Sequence, residues 1–304
     1  MINCSYIIEQ VKQNYLFLQS KANENLFFNQ KKLFKNTNFE EITYKINAVI
    51  YDLEEAKFFN DKKRIPELAK QLNTLMSQKK ELEKSLILQN LEPTFLCKKC
   101  NDTGYTAKGI CHCYYNHITK KCYEFLGVKV PKLTKFENDT LSQNSEQKVY
   151  FDKLLSYATN FNLNSKSLLL LGQTGTGKTF LSQAIAQKVS KKNFNVIYLT
   201  ACEYSQILLR YHLAPFSEKN VYYEILTTCD LLVIDDIGTE PIYKNVTLEY
   251  THAIISHRIT LNKPFIITTN LSLEKLLERY GERLFTRITA KNVAKIEFKG
   301  KNLR

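Results

Sequence analysis

The sequence predicts an α/β domain with a parallel sheet, preceded by a helical region and a small cysteine-rich element. Three observations carry this. Four leucines, Leu168 to Leu171, run into Gly172-Gln173-Thr174-Gly175-Thr176-Gly177-Lys178-Thr179, and an amphipathic run, FLSQAIAQKVS, follows. Further short apolar runs then alternate with helical ones. Upstream, two close cysteine pairs end a stretch of helical periodicity.

Composition sets the frame. A chain of 304 residues has room for one large domain and a smaller one. Its hydrophobic share of 44% is ordinary for a folded protein. No apolar run approaches a membrane span, and MINCSYIIEQVKQNY lacks a basic segment followed by an apolar core, so the expected location is the cytoplasm, with no membrane partner. Eight cysteines in that compartment are expected to be thiols or metal ligands rather than disulfides. The net charge of +13 is spread along the chain, which suits an acidic partner such as nucleic acid but also plain solubility.

Residues 1–92 form the first expected region, with almost no glycine or proline. From Ile65-Pro66-Glu67, where Pro66 fits a first helical turn, Leu68, Leu72, Leu75, Leu82 and Leu86 recur at helical spacing, with Lys79 interrupting the stripe. Ile42, Ile46, Val49, Ile50 and Leu53 make a similar stripe upstream. Two long helices in an antiparallel hairpin are expected, with Phe27, Phe28, Leu33 and Phe34 on a shorter preceding helix. Such a bundle can bury its own stripes, and part of the apolar face can also dock onto another protein.

Residues 93–130 are read as a metal element and connector. Cys97 and Cys100 form C-x-x-C, ten residues intervene, and Cys111 and Cys113 form C-x-C. Two close pairs either side of the turn Asp102-Thr103-Gly104 suit a closed tetrahedral zinc site, which is structural because it keeps no open position. The segment Gly104 to Ile110 is expected to be a β-hairpin. The rival reading is a redox pair, but no βαβ pattern surrounds it. His112 or His117 can stand in for one cysteine. Cys4, Cys122, Cys202 and Cys229 lack such spacing and read as ordinary thiols.

Residues 131–304 are the expected nucleotide-binding domain. After the polar run ENDTLSQNS and a helix in QKVYFDKLLSYATNF come the first strand and the glycine-rich loop, which fits G-x-x-x-x-G-K-[ST] without a mismatch. Gly172, Gly175 and Gly177 let backbone N–H groups turn inward around phosphate oxygens, Lys178 brings positive charge to the β- and γ-phosphates, and the Thr179 hydroxyl can reach Mg²⁺. The helix dipole points its positive end at the same anion. NVIYLT, DLLVID and PFIITT read as further strands, with ACEYSQILLRYHL and FSEKNVYYEILTTC as helices between the first two. Asp235 and Asp236 close their strand about fifty residues after the loop, in the form of a Walker B element. Asp235 is assigned to the metal and Asp236 to the attacking water. Asn270 ends the next strand, where it binds that water or senses the γ-phosphate, or else starts a turn and caps LSLEKLLERYG. Arg283 and Arg287, four apart, share a helix face that is either solvated and ion-paired or presents Arg287 as an arginine finger to a neighbouring subunit.

In this order, the P-loop, the Asp-Asp strand end, the strand-terminal Asn and the arginines of ERLFTRI resemble the AAA+ ATPases. More closely, CKKCNDTGY, GQTGTGKT, LLVIDDIGTE, IITTN, RYGERLFTRI and FKGKNLR resemble the bacterial replicative helicase loaders of the DnaC/DnaI type, over nearly the whole chain from about residue 90. The resemblance implies five parallel strands with helices on both faces and little or no lid, with VAKIEF as a short terminal strand. It implies an ATPase that uses ATP, Mg²⁺ and Zn²⁺, and an N-terminal domain that grips the hexameric replicative helicase. It also implies self-association in the ATP state, contact with single-stranded DNA, and placement of the helicase on that strand during replication initiation. By position Lys178, Thr179, Asp235, Asp236, Asn270 and Arg287 match the family's nucleotide machinery. Residues 201–228 match a helical insertion that touches single strands, where Tyr204, Arg210, Tyr211, His212 and Lys219 are candidates for stacking or phosphate contact. Asp236 stands where most AAA+ ATPases have Glu; the loader branch shares it, and the shorter side chain implies slow turnover. Two alternatives stay open: a transposition helper ATPase of the IstB type, which usually lacks the zinc element, and an adaptor in which nucleotide only stabilises the fold.

Overall fold

A computed structural model of the chain describes residues 4–34, 37–85, 92–138 and 146–298. Leu86, the polar run from residue 139 to 145 and the ending after Phe298 lie outside the described residues, as do the side chains of Leu33 and Phe34. The chain divides into two compact units, residues 14–103 and residues 1–13 with 104–304.

In the first, α1 (Ser5–Phe34), most of which belongs here, precedes α2 (Thr37–Phe58) and α3 (Arg64–Ser85). The last two pack on each other across a short turn in which Asp61 Oδ1 accepts from the N–H groups of Lys63 and Arg64. Ile46, Val49 and Leu53 are buried, while Ile50 is exposed. Lys79, which interrupts the leucine stripe, holds its ammonium 5.0 Å above the Phe39 ring, so a cation–π contact replaces an apolar one. The expected shorter preceding helix is corrected: α1 spans 30 residues, because nothing between Ser5 and Phe34 breaks a helix. Phe27 and Phe28 on it are 59% and 63% exposed.

The second unit holds a five-stranded sheet of β3 (Ser167–Gly172), β4 (Val196–Thr200), β5 (Leu231–Ile237), β6 (Phe265–Thr269) and β7 (Val293–Phe298). All neighbours are parallel, in the order β4-β5-β6-β3-β7. Parallel strands are covered on both faces, so their apolar runs need not alternate. Leu168, Leu170, Val233 and Ile266 face a core built with α5 (Glu146–Thr159) and α6 (Lys178–Ser190). Ile234 and Ile267 face the other side, beneath α7 (Ala201–Leu213), α9 (Thr247–Thr260) and α10 (Leu273–Ile288). This is the parallel five-stranded α/β architecture that the AAA+ resemblance implied. No described helix is long and apolar enough to cross a membrane.

Two buried polar devices hold the sheet's surroundings. The fully buried Arg258 guanidinium donates to the carbonyls of Leu226, Thr227, Cys229 and Pro264, tying the end of α8 (Phe216–Thr228) to the start of β6. At the sheet's edge, the Tyr123 hydroxyl of α4 (His112–Leu126) accepts the Tyr198 N–H at 2.7 Å and donates to the Tyr198 carbonyl at 3.0 Å.

Candidate nucleotide site and cysteine cluster

The glycine-rich loop leaves β3 at Gly172 and enters α6 through Gly177, whose φ of 93° lies in the left-handed region. Gly172 is required twice over: its φ is +150°, and a Cβ there would meet the Phe298 carbonyl at 2.8 Å and Phe298 Cβ at 2.9 Å. The buried Lys178 Nζ donates to the carbonyls of Gly172 at 2.6 Å and Gln173 at 2.8 Å, so the ammonium sits within the loop it serves. Burial pushes its pKa down, opposed by the charges of Asp236 and Asp235. Both carboxylates therefore act on the loop's cation. The Thr176 hydroxyl donates to the Gln173 carbonyl at 2.8 Å and braces the same turn.

Asp235 is buried, and its Oδ1 accepts from Thr268 Oγ1 at 2.7 Å and from Thr179 Oγ1 and Ser182 Oγ at 3.3 Å each. Thr179 and Asp235 thus offer two hard oxygens side by side, a donor set that fits Mg²⁺. In a regular strand Asp235 and Asp236 would point to opposite faces. Here the β5–β6 ladder has an irregularity between Ile234 and Ile237, and Asp236 takes a φ of 63°. Its N–H donates to Thr268 Oγ1 at 2.7 Å. One threonine hydroxyl therefore positions both aspartates, and the bulge re-aims the second.

Asn270 comes directly after β6 and is exposed. The cap of α10 is Ser272, whose Oγ accepts the Lys275 N–H at 3.3 Å, so capping does not fall to Asn270. Helix α10 breaks at Gly281 (φ 72°, ψ 164°), and Arg283 and Arg287 lie beyond it, both exposed. Their charges, after burial, push the His252 pKa down, which places both beside α9. Six residues after Arg287, Val293 starts β7 in register with Ser167, at the start of the P-loop strand. Lys178 follows the other end of that strand.

The four sulfurs of Cys97, Cys100, Cys111 and Cys113 lie within 4.8 Å of one another. Four thiolates so grouped fit zinc, whose bonds of about 2.3 Å to sulfur put tetrahedral ligands roughly 3.8 Å apart. Neither histidine belongs to this cluster; His112 Nδ1 lies 2.7 Å from Asn193 Oδ1. The hairpin between the pairs is β1 (Tyr105–Thr106) against β2 (Gly109–Ile110). Asp102 is buried, and its two oxygens accept the N–H groups of Leu96 and Cys97 at 2.8 Å each. The full chain is expected to carry about one zinc, and Cys97→Ser to lose it. Metal analysis of the purified protein checks this, and a metal-free wild type would return the cysteines to redox chemistry.

The DNA-contact candidates fare unevenly. Tyr204 is 3% exposed and has no face left for a base, so that expectation is corrected: α7 turns it into the core. Arg210 Nη1 is committed to the carbonyls of Leu126 at 2.6 Å and Gly127 at 3.2 Å. Tyr211 packs 4.6 Å from Tyr250, and His212 Nδ1 lies 2.9 Å from the Tyr250 hydroxyl. Lys219 is half-buried. Cys4, Cys122 and Cys229 are buried thiols and Cys202 an exposed one. Thr268, Ser182, Asp102 and Glu240 do not stand out in the sequence. The one available signal is the Thr268-Thr269 pair ending an otherwise apolar strand beside the acidic one.

The family model described as IstB-like ATP binding protein matches residues 128–293. That is more than half of the chain, and the chain belongs to this family. The replicative helicase loader DnaC of Escherichia coli is 29% identical over 143 residues, covering 46% of this chain and 57% of that protein. The replicative helicase loader DnaI of Bacillus subtilis is 28% identical over 129 residues, covering 42% of this chain and 40% of that protein. The matched region thus spans little more than half the length of the first of these relatives and less of the second. A crystal structure of the DnaC helicase loader aligns over 55% of this chain and 97% of that one, at 24% identity and a TM-score of 0.47.

Proposed function

We propose that this IstB-like ATP-binding chain is an ATP-dependent helicase loader. It binds the replicative DNA helicase, places it on single-stranded DNA during replication initiation, and releases it on hydrolysis. The observation that carries the nucleotide half is the convergence of Lys178, Thr179, Asp235 and Asp236 at the end of β3 and β5. The partner half is supported by the relatives named as replicative helicase loaders. Residues 1–92 form the helicase-binding region, 93–130 the zinc element and connector, and 131–304 the ATPase.

In the reaction the loop amides and the Lys178 ammonium hold the β- and γ-phosphates. Mg²⁺ held by Thr179 and Asp235 would neutralise charge on those phosphates. Asp236 orients a water in line with the γ-phosphorus and takes its proton as the new P–O bond forms; the bond to the bridging oxygen breaks and ADP leaves with the electron pair. Asn270 stands beside this water. Arg287, exposed beyond the break at Gly281, supplies charge to the site of a neighbouring subunit. Turnover is slow, because the Asp236 side chain is one methylene shorter than Glu. Nucleotide state decides which partner is held.

A second reading, a helper ATPase that directs a transposase to DNA, is favoured by the family match itself; the cysteine cluster and the long N-terminal helices favour the loader. A pull-down with the host's replicative helicase separates them. The full chain is expected to capture the helicase with ATP present, and a version lacking residues 1–130 to lose capture. Capture that survives the deletion defeats the assignment of residues 1–92 to helicase binding, and none by the full chain defeats the loader reading.

A further inference from the structure

The turn after β5 is built around a carboxylate that no step of hydrolysis uses. Glu240 is 4% exposed. Its Oε2 accepts the Gly238 N–H at 2.7 Å, and its Oε1 accepts the Tyr280 hydroxyl. Its carbonyl accepts from Arg279 Nη2 at 2.6 Å. Both ends of this one residue are thus held by two consecutive residues of α10. The same turn is fused to the segment after β6. Thr269 Oγ1 donates to the Ile237 carbonyl at 2.7 Å, and Gly238 sits so close that a Cβ would come within 2.7 Å of Leu271 Cδ1. Asp236 and Asn270 therefore lie on a single joined pair of turns.

Arg279 and Tyr280 are the last residues before the break at Gly281, and Arg283 and Arg287 lie directly beyond it. A glycine at a break fixes no direction by itself. The course of segment 282–288 must be set by contacts, and two of those contacts, from Leu284 and Ile288, line a small cavity shared with Glu240, Tyr280 and Ile237. Apolar side chains against a void can slide; the directional, charge-assisted bonds to Glu240 cannot do so without breaking.

We propose that Glu240 is a positioning residue that clamps the Asp236 turn to Arg279 and Tyr280, from which the arginine-bearing segment 282–288 departs. The site a protomer keeps and the arginine it lends to its neighbour are then set together. This rests on the reading of Arg287 as acting in a neighbouring subunit.

Two measurements on the full chain test it, with Glu240→Gln, which keeps shape, and Tyr280→Phe, which removes only the hydroxyl. In hydrogen exchange, each variant is expected to exchange about tenfold faster in both 236–240 and 282–288, the factor that loss of one charge-assisted bond gives, with 172–179 unchanged. Faster exchange confined to 236–240, or wild-type exchange at 282–288 in Tyr280→Phe, overturns the clamp. The second measurement is ATP hydrolysis by mixed variants. Asp236→Asn mixed with Arg287→Ala is expected to regain activity, because each supplies what the other lacks. Should it not, the trans reading of Arg287 fails, while the exchange result still decides the clamp. Glu240→Gln mixed with Arg287→Ala is expected to reach at most about a tenth of that control, since its Arg287 is misplaced, again by the loss of one such bond. Activity equal to the control overturns the coupling.

Discussion

Arg287→Ala is expected to lower the rate of ATP hydrolysis by assembled protein on the order of 10³-fold, the effect typical of an arginine supplied to a transferring phosphoryl group. Nucleotide affinity in the isolated protomer should change little. The reason is the role proposed above: Arg287 is exposed beyond the break at Gly281 and would serve a different copy's nucleotide. Steady-state phosphate release measured over a range of protein concentrations checks this. Wild-type activity per subunit should rise with concentration, and the variant should stay flat. Arg287→Lys should restore little, because an ammonium lacks the planar fork that engages two oxygens at once. Fast hydrolysis in dilute monomer that ignores Arg287→Ala would remove the residue from the site.

Lys178→Ala should weaken ATP binding by at least about 100-fold, roughly 3 kcal/mol, as expected when a buried ammonium is lost from a phosphate site. The ammonium sits between the carbonyls of Gly172 and Gln173, so its removal also frees the loop it braces. The Thr176 hydroxyl still holds the Gln173 carbonyl, and the fold should survive. Titration with a fluorescent ATP analogue, with a melting curve as control for folding, gives the answer. Unchanged affinity in a folded variant would end the P-loop reading.

Local features are the ones legible in the sequence. The loop from Gly172 to Thr179 is contiguous, and its chemistry depends on spacing alone. The cysteine pairs carry their own spacing too, and their sulfurs converge. Strands and helices of the nucleotide domain emerge from periodicity, because a parallel sheet buries whole apolar runs. The rest depends on residues far apart in the chain. Thr268 reads as a β-branched strand residue, and only the register of β5 with β6 brings its hydroxyl to Asp235 and the Asp236 amide. Glu240 reads as a loop acid until Tyr280, forty positions on, closes over it. Tyr204 reads as available for a base because one aromatic on a helix does not announce which face it takes. Helix α1 runs longer than its sequence suggests because a weak apolar stripe hides how far an unbroken helix can extend.

The Tyr123 hydroxyl at the rim of the sheet has a consequence for how copies of this chain can meet. Strand β4 is outermost, and an outermost strand normally offers a row of unpaired amides and carbonyls that a stray strand can extend. At Tyr198 both groups are already spoken for by a side chain from α4. At this rim the sheet resists growing from one molecule into the next. A ribbon continued through this strand would first have to displace the Tyr123 hydroxyl from both groups of Tyr198.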